Sequence, residues 1–166
     1  LSEDFIYVVL VSFPYGTIVS KDSIMQKAQE LIPENLNETV WDYREIPSIS
    51  PNQPKKIQVA VAVKKLFENL SWLIFKSGLH VEQLEPLSFS LARFAKNQEE
   101  PILFVYIYDK IFLTLVQKDA ILATERLDLP VNRDKLKKFI EFAKQQLTVD
   151  PARIIFCGST SDLNLN

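Results

Sequence analysis

The chain has 166 residues, of which 47% are hydrophobic and 24% are charged, and its formal net charge is -2 at pH 7. This composition is that of an ordinary globular protein and excludes a disordered or collagen-like chain. The small negative charge offers no general electrostatic attraction for nucleic acid, and the local cluster of Lys135, Lys137 and Lys138 is typical of a solvated helix face. We therefore expect an ordered protein that does not bind nucleic acid.

Cysteine and histidine each occur once, as Cys157 and His80. A single cysteine excludes an internal disulfide and indicates a reducing compartment, and the pair excludes the usual zinc sites, so we expect no metal. Cys157 follows an apolar run and is interpreted as a small buried hydrophobe rather than a nucleophile. No apolar run approaches the roughly 20 residues of a membrane helix, and no signal peptide is recognisable. Because the sequence begins at Leu1 rather than at methionine, we expect a part of a longer protein.

The first part of the chain, residues 1–96, is predicted to form one α+β unit. The near-continuous apolar run 4–12 predicts a strand that is buried on both faces. Ser20 or Asp22 is expected to cap a helix that Pro33 stops. The elements predicted in this part are, in chain order, strands at 4–12 and 17–19, a helix up to residue 32, strands at 39–46 and 57–63, a helix that ends at Gly78, a short strand at 80–84 and a helix at 86–95.

The second part, residues 97–166, begins with the polar stretch 97–100. Three strands in a row are predicted over 101–127, with turns at 108–110 and 118–120. Asn132 is expected to cap a helix, and a final strand at 153–157 closes at Gly158. A three-strand meander followed by a crossover helix and one more strand describes half of a ribonuclease-H-like mixed sheet. We expect the last strand to run parallel to its neighbour through a right-handed crossover.

The order of these elements resembles that of PilM, the cytoplasmic actin-like protein of type IV pilus assembly, and more distantly that of the division protein FtsA. The resemblance spans nearly the whole chain, and the joint order of the motifs carries it rather than any one of them. The matching motifs are the run VLVSFPYGTIVSK, the helix end Ile32-Pro33, the strand residues Asp42-Tyr43, the turn Ser77-Gly78-Leu79 and the helix end Ala92-Arg93. The resemblance implies an inserted PilM/FtsA-type subdomain at 1–96 and a partial actin-like, ribonuclease-H-like subdomain at 97–166, in a degenerate and N-terminally truncated member.

Where this family has a strand that ends in Asp-Ile-Gly beside the nucleotide phosphates, this chain has Tyr106-Ile107-Tyr108. A phosphate-contacting turn needs glycine so that backbone N–H groups can approach closely, and it needs the acidic residue to position a metal and water. Tyrosines satisfy neither need, so we interpret Tyr106 and Tyr108 as packing residues of the sheet. Gly158 is a residual of the family's Gly-Gly turn near the adenosine. We therefore expect no catalytic residues and no cofactor, with ATP binding confined to a complete chain.

The resemblance implies a non-catalytic scaffold, or pseudo-ATPase, of a type IV pilus or a related secretion system. Its implied partner is the cytoplasmic tail of a membrane-anchored PilN-type protein, which would hold the chain at the inner membrane without inserting it, and self-association is a further expectation. Trp41 and Tyr43 project from one face of their strand and are candidate partner-binding residues, with burial under a helix as the alternative. The strand 4–12 is a candidate edge for strand addition.

Two other functions remain open at this point. One is a fragment of an actin-like ATPase whose nucleotide site needs a missing N-terminal half. The other is the cytoplasmic domain of a GspL-type protein of type II secretion, which shares the fold and differs by a transmembrane helix after the domain.

Overall fold

The computed structural model describes residues 6–47, 52–80, 82, 84–129, 133–147 and 149–158. The chain divides into two compact units, Leu1–Leu87 and Ser88–Asn166. This division lies earlier than the boundary expected between residues 96 and 97, because the helix that precedes that boundary belongs with the second unit. Its residues Ala92 and Ala95 are buried, and the ring of Phe94 meets the edge of Phe104 at a centroid distance of 6.1 Å.

The described residues of the first unit form one antiparallel sheet and two α-helices. Its elements are β1 (Ile6–Phe13), α1 (Lys21–Gln29), a 3-10 turn (Leu36–Glu38), β2 (Thr39–Ile46), β3 (Lys55–Val63) and α2 (Lys64–Lys76). The strand order is β1-β3-β2, so β3 is central and the other two strands are edges. The strand expected at 39–46 is confirmed, and the strand expected at 57–63 is confirmed with an earlier start.

Two short strands expected in the first part of the chain are not formed. Residues 17–19 have no strand, because Thr17 N–H closes a turn onto the Pro14 carbonyl at 3.2 Å and Gly16 has a φ of +78°. Residues 80, 82 and 84 are also not in a strand, and residues 81 and 83 lie outside the described part. An alternating pattern needs a neighbouring strand to pair with, and no described strand runs beside these residues.

Helix α1 begins with a cap at Ser20, one of the two residues that the sequence offers, and the cap proves to be reciprocal. The Ser20 hydroxyl accepts from Ser23 N–H at 3.2 Å, and Ser23 Oγ accepts from Ser20 N–H at 3.0 Å. These bonds satisfy two backbone donors that the first helical turn leaves without partners. The helix ends at Gln29, before Pro33, and its buried residues Ile24 and Ala28 pack on the sheet.

The sheet of the first unit is buried on both faces at its centre. One face, formed in part by Val11, Phe13 and Val59, packs against α1. On the other face of strand β1, Ile6 and Val8 are buried, Leu10 is half-buried and Ser12 is exposed. The expectation of a strand buried on both faces is therefore met only over the first half of β1, which is an edge strand, and residues 4 and 5 lie outside the described part.

The second unit contains a four-stranded mixed sheet. Its elements are α3 (Leu87–Phe94), β4 (Ile102–Ile107), β5 (Lys110–Gln117), β6 (Ala120–Asp128), α4 (Arg133–Gln146) and β7 (Arg153–Gly158). The strand order is β6-β5-β4-β7, with β7 parallel to β4 and the other pairs antiparallel. The meander and the parallel last strand are therefore confirmed. Phe139 and Ala143 of α4 are buried in the core of this sheet, while Asn132, its expected cap, lies outside the described residues.

Candidate functional site

Three candidate residues, Tyr106, Tyr108 and Gly158, lie close together at the carboxyl ends of the parallel strands β4 and β7. Tyr106 lies opposite Cys157, and Ile107 lies opposite Gly158, so the turn that begins at Tyr108 is adjacent to the end of β7. In open sheets of this kind, ligands bind beyond the carboxyl ends of the strands. The carboxyl ends of β4 and β7 are therefore the place to look for a nucleotide site.

The two tyrosines at this edge have different surroundings. Tyr106 is half-buried, and its ring lies 6.4 Å from that of Phe112, its partner on β5. Tyr108 is 65% exposed, because β4 ends at Ile107 and Tyr108 falls in the turn. Tyr106 thus packs within the sheet, whereas the interpretation of Tyr108 as a packing residue is wrong.

The turn between β4 and β5 offers little to a phosphate group. Its residues are Tyr108 and Asp109, and neither has the positive φ that lets a turn direct successive N–H groups at an anion. The N–H group of Tyr108 is already used, because it donates to the Lys110 carbonyl at 3.0 Å. A phosphate placed here would meet an aromatic side chain and a carboxylate.

Gly158 is required by the backbone around it. Its φ is +97°, and a Cβ atom added at this position would lie 2.0 Å from the carbonyl oxygen of Ile107. Any side chain would therefore clash with β4, in a backbone conformation that residues other than glycine rarely adopt. The close approach of the two strand ends explains this glycine without a ligand.

Cys157 is half-buried beside the same strand end. Its Sγ lies 3.9 Å from the Val105 carbonyl oxygen, and burial raises the pKa of the thiol above its ordinary value. The thiolate is the nucleophilic form of cysteine, so this environment lowers the reactivity of the side chain at neutral pH.

Trp41 and Tyr43, the candidate partner-binding residues, lie on the edge strand β2. Their ring centroids are 6.1 Å apart, at an interplanar angle of 33°. Trp41 packs partly against the core, and Lys21 Nζ lies 5.0 Å from the centroid of its ring. Tyr43 is 42% exposed. Within this pair, Trp41 packs against the core and Tyr43 is accessible at the surface.

Sequence reasoning missed the outer face of α2. None of the residues of this helix is fully buried, and 58% of Trp72, 58% of Leu73 and 76% of Phe75 are exposed. Lys76 Nζ lies 5.6 Å from the centroid of the Trp72 ring. The available signal was the position of Trp72 and Phe75, which do not share the helical spacing of Leu66, Phe67, Leu70 and Ile74.

Neither a metal site nor a membrane span is found in the described part of the chain. Among those residues, no group of three or more His, Cys, Asp or Glu side chains is placed to hold a metal ion. The described helices are all too short or too polar to cross a membrane.

Comparison with known proteins gives matches among solved structures alone. No family model matches the chain, and no curated protein matches it. A chain of the PilM–PilN type IV pilus biogenesis complex superposes with a TM-score of 0.60 at 20% identity, over 88% of this chain and 45% of that chain. A Bacteroides thetaiotaomicron protein of unknown function with an actin-like ATPase fold superposes with a TM-score of 0.53 at 9% identity, over 97% of this chain and 59% of that chain.

These similarities show the fold alone: the chain has part of an actin-like fold, of the mixed α+β class, and each of its two units contains one sheet. Its fold is similar to that of the matched chain of the PilM–PilN complex. The chain spans about half the length of the solved structures that it matches, at 45% and 59%.

Proposed function

We propose that this chain is part of a non-catalytic scaffold in a type IV pilus or a related secretion system. The turn between β4 and β5 is the observation that carries the proposal. In that turn Tyr108 replaces the glycine that a phosphate-binding loop needs, and its N–H group is bonded to Lys110. The fold that the chain shares with a component of the PilM–PilN complex supports the choice of assembly system.

The proposed partner is the cytoplasmic tail of a membrane-anchored PilN-type protein. Such a partner would place the chain in the cytoplasm, at the periphery of the inner membrane. The proposed contact includes Trp41 and Tyr43. Tyr43 is accessible on one side and packs against Trp41 on the other. Accessible aromatic side chains with this kind of support are common anchors of protein interfaces. Tyr43 would supply the contact, and Trp41 would hold it in place.

Isothermal titration calorimetry tests both parts of the proposal. Titration with Mg·ATP is expected to give no binding heat, and titration with a synthetic peptide of a PilN-type cytoplasmic tail is expected to give a saturable signal. Tyr43→Ala should weaken peptide binding at least about tenfold, which corresponds to about 1.4 kcal/mol. Tyr15→Ala is the matched control, because Tyr15 is an exposed tyrosine in the loop after β1.

Saturable binding of Mg·ATP would contradict the non-catalytic assignment. A peptide signal that is absent, or that Tyr43→Ala and Tyr15→Ala reduce equally, would contradict the partner assignment at β2.

A further inference from the structure

We propose that the outer face of α2 binds an anionic lipid surface, with the rings of Trp72 and Phe75 at the level of the lipid headgroups. The outer face consists of the exposed residues Lys65, Trp72, Leu73, Phe75 and Lys76. The inference does not rest on the proposed function, because α2 has no part in the contact proposed at β2.

Helix α2 leaves large apolar side chains in water. None of its 13 residues is fully buried, and its half-buried residues recur at helical spacing, as Phe67, Leu70, Ser71 and Ile74. Trp72, Leu73 and Phe75 each expose more than half of their surface, and Leu79, just after the helix, is exposed as well. Scattered apolar side chains are normal on a protein surface, but neighbouring ones of this size mark a face that binds something.

The charge of α2 is opposite to that of the chain as a whole. The helix carries three lysines and one glutamate, in a chain whose formal net charge is -2. The glutamate, Glu68, lies 3.9 Å from Lys64, so Lys65 and Lys76 carry the positive charge of the outer face. This face is therefore complementary to an anionic surface.

The placement of the lysines among the apolar residues favours lipid over a protein partner. Trp72 follows Lys65 by two helical turns and precedes Lys76 by about one, so the three residues lie on the same side of the helix. Lys76 Nζ lies 5.6 Å from the centroid of the Trp72 ring. The centres of protein interfaces are depleted of lysine. At a bilayer surface, by contrast, tryptophan is enriched, and a lysine lays its stem on the apolar layer while its ammonium group reaches the headgroups.

The expected contact is shallow and reversible. A helix of 13 residues is too short to cross a bilayer, which takes about 20, so α2 would lie in the plane of the headgroups. Each basic residue near an anionic surface strengthens binding about fivefold, over a range of about 8 Å at physiological salt. Binding through two lysines and a few apolar side chains should therefore depend on the anionic lipid content and weaken as salt rises.

Co-sedimentation of the 166-residue chain with lipid vesicles tests the proposal. The bound fraction should be small with phosphatidylcholine alone, should rise as phosphatidylglycerol is added, and should fall as sodium chloride is added. Lys65→Glu reverses one charge of the outer face and should weaken binding at least about tenfold. Lys138→Glu is the matched control, because Lys138 is an exposed lysine of the basic helix α4. It should leave vesicle binding nearly unchanged.

Tryptophan fluorescence gives a second measurement that reports the position of one ring. The chain has two tryptophans, Trp41 and Trp72. In Trp41→Phe the remaining Trp72 should shift its emission to shorter wavelength on anionic vesicles and should be quenched by brominated lipid. In Trp72→Phe, the matched control, the remaining Trp41 should show neither change.

The proposal is wrong if the chain does not bind anionic vesicles, which would assign the outer face of α2 to a protein partner instead. It is also wrong if phosphatidylcholine alone binds the chain equally well, if the two charge reversals weaken binding equally, or if brominated lipid quenches Trp41 and Trp72 to the same extent.

Discussion

Arg44 donates two hydrogen bonds to the side-chain oxygen of Gln58, from Nε at 3.2 Å and from Nη2 at 2.8 Å. The two residues lie directly opposite each other on β2 and β3, and Gln58 is completely buried. A buried amide without partners costs free energy, so this cross-strand pair fixes how the edge strand β2 is placed on the centre of the sheet.

Arg44→Ala should reduce the free energy of unfolding by about 1–3 kcal/mol, because it removes the donors to a buried side-chain oxygen. The measurement is urea unfolding at equilibrium. A double-mutant cycle with Gln58→Leu provides the control, since it isolates the coupling between the two side chains. Equal losses from Arg44→Ala in the wild type and in the Gln58→Leu background would show that the pair is not coupled.

Gly158→Ala should be strongly destabilising, by about 2 kcal/mol or more, because the added Cβ meets the Ile107 carbonyl at a positive φ. Gly16→Ala is the matched control. Gly16 has a φ of +78° with no atom within 4 Å of an added Cβ, so it carries only the conformational cost, about 1 kcal/mol. Thermal unfolding of the two variants should rank Gly158→Ala below Gly16→Ala, and the reverse order would contradict the clash.

Ser20→Ala should lower the free energy of unfolding by about 1 kcal/mol through loss of the cap of α1. Ser20→Asp should retain most of the stability, because a carboxylate also accepts from the first-turn N–H groups and complements the helix dipole. Urea unfolding of both variants checks this expectation. If Ser20→Asp were as unstable as Ser20→Ala, the bond from Ser23 N–H to the side chain at position 20 would not be the source of the stability.

Cys157 should be alkylated by iodoacetamide more slowly in the folded chain than in the chain unfolded in urea, at the same pH. Burial raises the pKa of the folded thiol, so less thiolate is present. The folded state then holds its proton to higher pH than the unfolded state does. The resulting stability is fully present below the ordinary thiol pKa and is lost as the pH rises through the folded one. Cys157→Ala should remove this pH dependence of unfolding.

The sequence predicted the second unit well, because its strands are continuous apolar runs separated by turn residues. The parallel direction of β7 followed from the helix between β6 and β7, since a helical crossover can return the chain in that direction, whereas the choice of β4 as its partner was not predicted. The strand predictions at 17–19 and at the described residues 80, 82 and 84 were wrong for the opposite reason. Their local pattern suits a strand, but strand formation depends on a neighbour that a local pattern does not reveal.

The candidate site was predicted less completely. The sequence located Tyr106, Tyr108 and Gly158, and the strand register explains why they share one edge of the sheet. The sequence did not reveal that Tyr108 is exposed. Its exposure depends on β4 ending at Ile107, one residue earlier, and a sequence pattern does not fix the end of a strand that closely. The close contact between Gly158 and Ile107 joins residues far apart in the chain, so no local pattern contains it.

Gln29, the last residue of α1, bonds to three backbone groups of the chain that follows. Its Nε2 donates to the carbonyls of Ile32 at 3.2 Å and Glu34 at 2.8 Å, and its Oε1 accepts from Leu36 N–H at 2.9 Å. The hydrogen bonds of this one side chain therefore hold the backbone of the connection between α1 and β2 in place. A redesign of this protein can vary the exposed residues 30 and 31, provided that Gln29, the Asn35 side chain that accepts from Asn37 N–H, and the length of the connection are kept.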